Sequence, residues 1–196
     1  MKYLLIFLII CSCGSAKKFK IINQNDDYNT YYIADKKGKI IKKLDSSYQV
    51  NFNEDSLGYF TVFYIKGEKG WMAINIDENR LFEVYNTEIG TPSPDVLIEN
   101  KIRIIDANNR IGFANKKGKI VIKPQFEMVS SFHKNKAIIG EECEKIPWAE
   151  HPEEADCQHY SIQCKKHGFI NKKGKIIKFG NYTFEEIQKE IDWKYK

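Results

Sequence analysis

The sequence predicts an all-β fold: repeated antiparallel β-hairpins in a propeller-like or open curved array, with a short C-terminal α-helix. Three observations carry this expectation. One stretch recurs along the chain. Each recurrence places turn-forming residues between β-branched runs. The aromatic fraction is 13%, drawn mostly from Tyr and Phe, as strands favour.

The best copy reads Gly112-Phe-Ala-Asn-Lys-Lys-Gly-Lys-Ile-Val-Ile122 and returns as Gly168-Phe-Ile-Asn-Lys-Lys-Gly-Lys-Ile-Ile-Lys178. An earlier copy, Tyr32-Ile-Ala-Asp-Lys-Lys-Gly-Lys-Ile-Ile-Lys42, lacks the leading glycine. A degenerate copy begins at Gly70-Trp-Met-Ala-Ile-Asn and ends near Leu81-Phe82. The turn glycines are Gly38, Gly118 and Gly174. The first two lie 80 residues apart with the degenerate copy between them, which implies a period of roughly 40, within the range of repeat architectures. The last interval is 56 residues, so that repeat carries an insertion at about 141–166.

Each copy reads as a hairpin. Asn or Asp first and Gly last suits a type I turn followed by a left-handed residue. The Asn or Asp side chain can bond the backbone two residues on, and glycine takes positive φ without a Cβ clash. Ile120, Val121 and Ile122 then favour a strand. Pro124 has no N–H for a ladder, so it ends that strand or lies on an edge.

These residues resemble the WG-repeat family of bacterial proteins. The family pattern is a glycine and an aromatic, then an acid or amide turn with Gly-Lys, then an aliphatic pair, Pro and an aromatic. The copy from Gly112 continues the match through Pro124, Phe126, Phe132 and Ala137. Lys69, Ile111 and His167 stand where a tryptophan often precedes the repeat glycine, and Asn135 replaces the family's second glycine. The resemblance spans roughly 30–180 and implies an all-β repeat fold serving in binding. It carries no agreed catalytic residues.

In chain order, residues 1–12 read as a secretory signal: Lys2 supplies the positive region and Leu4–Ile10 the apolar core, too short to span a bilayer. The end, Ile10-Cys-Ser-Cys13, resembles the bacterial lipobox, with Cys13 acylated. Acyl chains on that cysteine would anchor a folded domain to the membrane. The absence of an acidic residue after Cys13 implies carriage to the outer membrane of a bacterial envelope.

Residues 13–29 form the lipidated N-terminus and a polar tether with one short strand, Phe19–Ile22. The β domain follows over 30–182. Within it, Gly58–Ile65 is apolar on both faces and predicts a central buried strand. Thr91-Pro-Ser-Pro94 reads as a loop, and Val96–Ile98 and Ile102–Ile105 as short strands. Over 183–196, Thr183 with Glu186 makes a capping box, and Phe184, Ile187 and Ile191 share a helical face. That helix should cap the array and shield its last strand.

The insertion holds Cys143, Cys157 and Cys164, which permit one internal disulfide; pairing of Cys143 with Cys157 or with Cys164 would staple it. Cys157, His159, Cys164 and His167 also offer a two-sulfur, two-nitrogen set for a metal, though their spacing matches no standard zinc module. His133 reads as a solvated turn residue. The carboxylates from Glu141 to Asp156 read as a solvated loop rather than an acid–base pair. No nucleophile elbow, P-loop, zincin helix or dinucleotide loop is present.

The net charge of +5 is small, and many lysines fall at turns, so no nucleic-acid partner is expected. No cofactor is called for. The reading is a lipid-anchored interaction module for a protein, peptide or glycan of the envelope. A structural or assembly lipoprotein, or a metal-dependent hydrolase using the Cys/His set, stands as the alternative.

Overall fold

A computed structural model describes residues 19–23, 30–51, 58–63, 70–87, 93–147 and 160–194. The signal segment 1–12, Cys13, Thr91 and Pro92, Cys157 and His159 lie outside the described residues. The strands are β1 (Lys20–Asn23), β2 (Tyr31–Ala34), β3 (Ile40–Lys43), β4 (Gln49–Asn51), β5 (Phe60–Phe63), β6 (Trp71–Ile74), β7 (Arg80–Val84), β8 (Ile102–Ile105), β9 (Ile111–Ala114), β10 (Ile120–Phe126), β11 (Met128–Val129), β12 (Lys136–Pro147), β13 (Tyr160–Asn171) and β14 (Ile176–Gly180). One helix, α1 (Phe184–Glu190), follows. The fold is thus all-β with a short C-terminal helix.

Five hairpin turns share one geometry. In the first, the Gly38 N–H donates to Asp35 O at 3.0 Å and the Asp35 N–H to Lys39 O at 2.9 Å. The Asp35 carboxylate accepts the Lys37 and Lys39 N–H groups at 2.8 and 3.0 Å. Asn75, Asp106, Asn115 and Asn171 each repeat both side-chain bonds. The fourth turn position needs positive φ: Gly38, Gly118 and Gly174 sit at 85, 77 and 81°. Glu78 and Asn109 occupy it at 60 and 58°. The turn at Asp106, joining β8 to β9, was not legible because it has neither the lysine pair nor the glycine.

Beyond each of the four repeat turns the second strand carries one extra residue. Register shifts fall at Ile33/Ala34, Ala73/Ile74, Ile120/Ile122 and Phe169/Ile170, leaving Ile41, Leu81, Val121 and Ile177 as the bulged residues. The leading glycines make room for this return. A Cβ on Gly112 would lie 2.5 Å from Ile122 O, and one on Gly168 would lie 2.0 Å from Lys178 O.

The sheets do not divide one per repeat. The first has order β1-β2-β3, the second β10-β9-β8-β7-β6-β5-β4, and the third β11-β12-β13-β14, all antiparallel. In β5, Phe60 and Val62 pack against Ile33 and Leu44 of the first hairpin, whereas Phe63 joins Trp71, Phe82 and Ile104 on the other side. Strand alternation therefore explains the unbroken apolar run: both faces are covered. Pro124 lies in β10, an edge strand of the second sheet, inside a further register shift between Ile122 and Phe126, where its missing N–H breaks no regular ladder. Ile111, Phe113, Ile122 and Phe126 meet Phe132, Ile139 and Ile170 to join the second sheet to the third.

Val96–Ile98 is not a strand. Ile98 and Lys101 instead close a two-residue turn, with Glu99 and Asn100 at φ 49 and 61°. The Glu99 carboxylate is drawn to the Lys134 and Asn135 N–H groups, at 2.7 and 2.8 Å. Asn135, at φ 62°, fills the position the family pattern gives to glycine. His133 is not solvated as expected. Both its ring nitrogens are buried without a hydrogen-bond partner.

Successive repeats stack turn upon strand. The turn at Gly174 lies over Ile122, since a Cβ there would be 2.9 Å from Ile122 Cγ2. Glu78, at the equivalent turn position, bonds Lys42 of the preceding copy at 2.5 Å and accepts the Tyr48 hydroxyl proton at 3.1 Å. Burial, and then Glu78, push the Tyr48 hydroxyl up to about 12. Lys178 is the counterpart of Lys42 in the last copy, and Glu190 of α1 bonds it at 2.6 Å. The helix thus stands where a further turn would. Thr183 and Glu186 form the capping box expected. Ile187, Ile191 and Trp193 cover Ile138 and Phe169, a sheet face. The outer edge of β14 is therefore not shielded by pairing with the helix, contrary to expectation; a helix buries an apolar stripe, and that stripe finds its partners on the face.

The turns give a graded stability test. Nothing lies within 4 Å of a Cβ at Gly38, whereas one at Gly118 would lie 2.8 Å from Leu81 Cδ1. Gly38→Ala should cost about 1–2 kcal/mol from the left-handed backbone alone. Gly118→Ala should cost clearly more, read from urea denaturation midpoints.

Candidate functional site

The insertion is built as an arm. β12 and β13 pair in register from Lys136 opposite Asn171 to Pro147 opposite Tyr160. Their inner halves belong to the core through Ala137, Ile138, Ile139, Phe169 and Ile170. Their outer halves belong to the insertion, with Glu142, Glu144, Lys145, Ile146, Ser161, Ile162, Gln163 and Lys165 exposed. Much of what the sequence suggested was a loop is therefore strand, because each flank finds its partner directly across the hairpin.

Cys143 and Cys164 face each other across this arm and are disulfide-bonded. Gly140 clears the space: a Cβ there would lie 2.7 Å from Cys164 Sγ. At Glu142 the backbone turns to φ 57°. The N–H groups of Glu142 and Cys143 then donate to the Glu127 carboxylate, at 2.9 and 3.0 Å. Glu127 thus continues by side chain the pairing that β11 makes with Gly140 and Ile139 by backbone.

The acids on the described part of the arm are matched with bases. Glu141 bonds Arg110 at 3.2 Å, Glu142 bonds Lys166, and Glu144 lies 4.0 Å from Lys165. The hydrogen bond from Lys166 holds the Glu142 carboxyl below its ordinary range. This arrangement suits a rigid, charge-balanced surface and not a pair of carboxylates sharing a proton. Lys145 covers the Tyr160 ring at 4.5 Å. Ile146 and Ile162, 38% and 44% exposed, give the arm an apolar component.

Of the suggested metal set, Cys164 is committed to Cys143. His167 is buried; its Nδ1 is 2.9 Å from Tyr182 O and its ring meets Phe184 edge-on. Cys157 and His159 are outside the described residues. Among the described residues, no group of three or more His, Cys, Asp or Glu side chains is placed to hold a metal ion.

A polar cluster beside the arm had no signal in the sequence. Asp95 is buried and accepts both the Arg103 N–H and its Nη2 proton, each at 2.7 Å. Arg103 Nη1 donates to Val129 O at 3.3 Å, and the guanidinium lies 4.7 Å over the Tyr85 ring. Burial raises the Tyr85 hydroxyl, and Tyr160 and Lys145 of the arm also act on it. The cluster fastens the loop around Asp95 to β8 and β11, and so the second sheet to the third. An isolated Asp and Arg eight residues apart form no recognisable pattern, so only the fold brings this role out.

Two losses should follow. Asp95→Ala leaves the Arg103 guanidinium without its buried counter-charge and should cost about 3 kcal/mol, measured by urea denaturation. Cys143→Ser, or reduction of the wild type, should cost about 2–3 kcal/mol in the same measurement. Cys164→Ser should match it, and the double variant should add nothing further.

Comparison with known proteins gives a local result. No curated protein and no solved structure matches the chain. Residues 111–141 match the family model described as WG containing repeat. That span runs from the start of β9 into β12 and includes Gly112, Gly118, Pro124, Phe132 and Ala137. The chain is a repeat-containing β protein, with its third repeat similar to the WG containing repeat.

Proposed function

We propose that this is a lipid-anchored protein of the bacterial cell envelope, held at the outer membrane through Cys13. In this reading its repeat domain is a non-catalytic interaction module for a protein, peptide or glycan. The stapled arm is the recognition surface. The observation that carries this reading is the arm itself: a long hairpin, cross-linked at Cys143–Cys164 and charge-balanced along its described strands, presents Ile162 beside the Lys145–Tyr160 pair on one face and Ile146 on the other. A pre-ordered surface of this kind loses little conformational entropy on binding. The disulfide suits an oxidising compartment outside the cytoplasm, which agrees with the signal and lipobox-like residues at the N-terminus. The hydrolase reading is weakened because its set would need the sulfur that Cys164 gives to Cys143.

The test is capture from the native envelope, with the chain tagged at Lys196 and cross-linked in the cell. Ile146→Ser with Ile162→Ser removes the apolar component without touching the core or the disulfide. Recovery of the partner should fall about tenfold or more if these side chains are anchors of the interface. Undiminished recovery would reject the arm as the recognition surface. The mass of the N-terminal peptide from the same preparation reads the anchor separately: acyl chains on Cys13 are expected, and a free thiol there would reject lipid attachment.

A further inference from the structure

The first sheet has a chemistry that the arm does not explain. This sheet and its turns, over the described residues 19–23 and 30–48, hold six lysines (Lys20, Lys36, Lys37, Lys39, Lys42 and Lys43) against two aspartates. The Asp35 and Asp45 carboxylates are both bonded to their own turns. Of the lysines, Lys42 is paired with Glu78. The side chains of Lys36, Lys37 and Lys39 project from an exposed turn. The strand after that turn is exposed along its whole length, with Ile40 and Ile41 at 40% and 55%. Cations interleaved with aliphatic side chains match the interface of a bilayer, where apolar groups enter the headgroup boundary and lysines reach phosphate.

Register places this surface relative to the anchor. Lys20 is opposite Ala34, and Ala34 is opposite Ile40. The start of β1 and the lysine turn therefore lie at one end of the sheet, about 10 Å apart at two strand spacings. Lys20 stands only seven positions after Cys13, and Lys17 and Lys18 lie between them. Fully extended, seven residues reach at most about 25 Å. A chain anchored at Cys13 would hold this end of the sheet close to the bilayer.

We infer that the Lys36–Lys39 turn, with Lys20, Ile40 and Ile41, is a second membrane contact that docks the first sheet on anionic phospholipid headgroups. The inference rests on the reading of Cys13 as the lipid anchor. It fixes the orientation of the array: the first repeat lies against the membrane and the later repeats extend from it.

The experiment uses the mature chain, residues 13–196, purified without its acyl group, so that peripheral binding is read without the anchor. It is sedimented at about 0.1 M salt, where the Debye length is about 10 Å, with vesicles of phosphatidylcholine alone or mixed with phosphatidylglycerol. Three forms are compared: wild type, the triple variant Lys36→Gln, Lys37→Gln and Lys39→Gln, and a matched control with Lys172→Gln, Lys173→Gln and Lys175→Gln. Both sets occupy the same turn geometry, and the turn bonds come from Asp35 and Asn171, so neither variant removes them.

Wild type should bind only the anionic vesicles. Each lysine at such a surface contributes a factor of about five, so the first triple variant should bind on the order of tenfold or more weakly, and the control within about twofold of wild type. Absence of preference for the anionic vesicles overturns the inference, and so does an equal loss in both variants. The anchor is judged apart, by the mass of the native N-terminal peptide. A free Cys13 beside intact, turn-dependent vesicle binding would reject the anchor and keep the surface.

Discussion

One side-chain oxygen per hairpin sets the geometry on which the repeats depend. In five turns an Asp or Asn oxygen accepts two backbone N–H groups. Those donors cannot join the ladder because the chain is reversing. Left unsatisfied when buried they would be costly; bonded to the Asx oxygen, each contributes about 1 kcal/mol. The bond also commits the following residues to a type I turn, and that turn commits the next to the left-handed region. Everything downstream follows in register: the bulge beyond each repeat turn, the leading glycine that admits the returning strand, and the placement of one turn over the preceding copy.

Stacking then turns a local device into an array. A single hairpin cannot bury its apolar face. Here the first hairpin closes against β5 and β6, and the third against β12 and β13. The last copy has no successor, and α1 takes that role with a carboxylate, Glu190, on the lysine equivalent to the one Glu78 holds at the other end. The same electrostatic contact is supplied once by a turn and once by a helix. This is the sense in which the helix ends the array, although its apolar residues are spent on the sheet face and not on the edge.

The hairpins, the capping box and the both-faces-buried strand were legible in the sequence because each is a local pattern with a local cause. Asn115 to Gly118 specifies its turn without help from elsewhere, and Thr183 with Glu186 specifies a helix start. The misses have long-range causes. Val96–Ile98 has strand-like residues, but Glu99 is held by a turn 35 residues away, and Asp95 by Arg103. His133 sits at a turn, which argues for solvent, yet both its ring nitrogens are buried in the folded chain. The candidate surface was legible in outline, since the 56-residue interval marks the insertion and its cysteines mark a staple. The strand pairing that makes it an arm was not, because neither flank has the alternating pattern of a half-buried strand.

The uneven clarity of the four copies has a physical reason. In the three clear ones the second strand, β3, β10 or β14, is the edge of its sheet. An edge must hold its shape while discouraging further pairing. The sequence Lys-Lys-Gly-Lys followed by a β-branched pair does both: the branched residues keep the strand extended, while the bulge and the flanking lysines make it a poor template for another strand. The degenerate copy is the one whose second strand, β7, lies between β6 and β8. There the edge defence has no purpose, and lysines would have to be accommodated beside a neighbour. The same positions read Ile76-Asp-Glu-Asn-Arg-Leu81, followed by Phe82, which is buried in the core, and with Glu78 turned to Lys42. Sequence regularity in this chain therefore follows exposure at the sheet edges, and the copy that departs from it does so because its strand has been taken into the interior of the sheet.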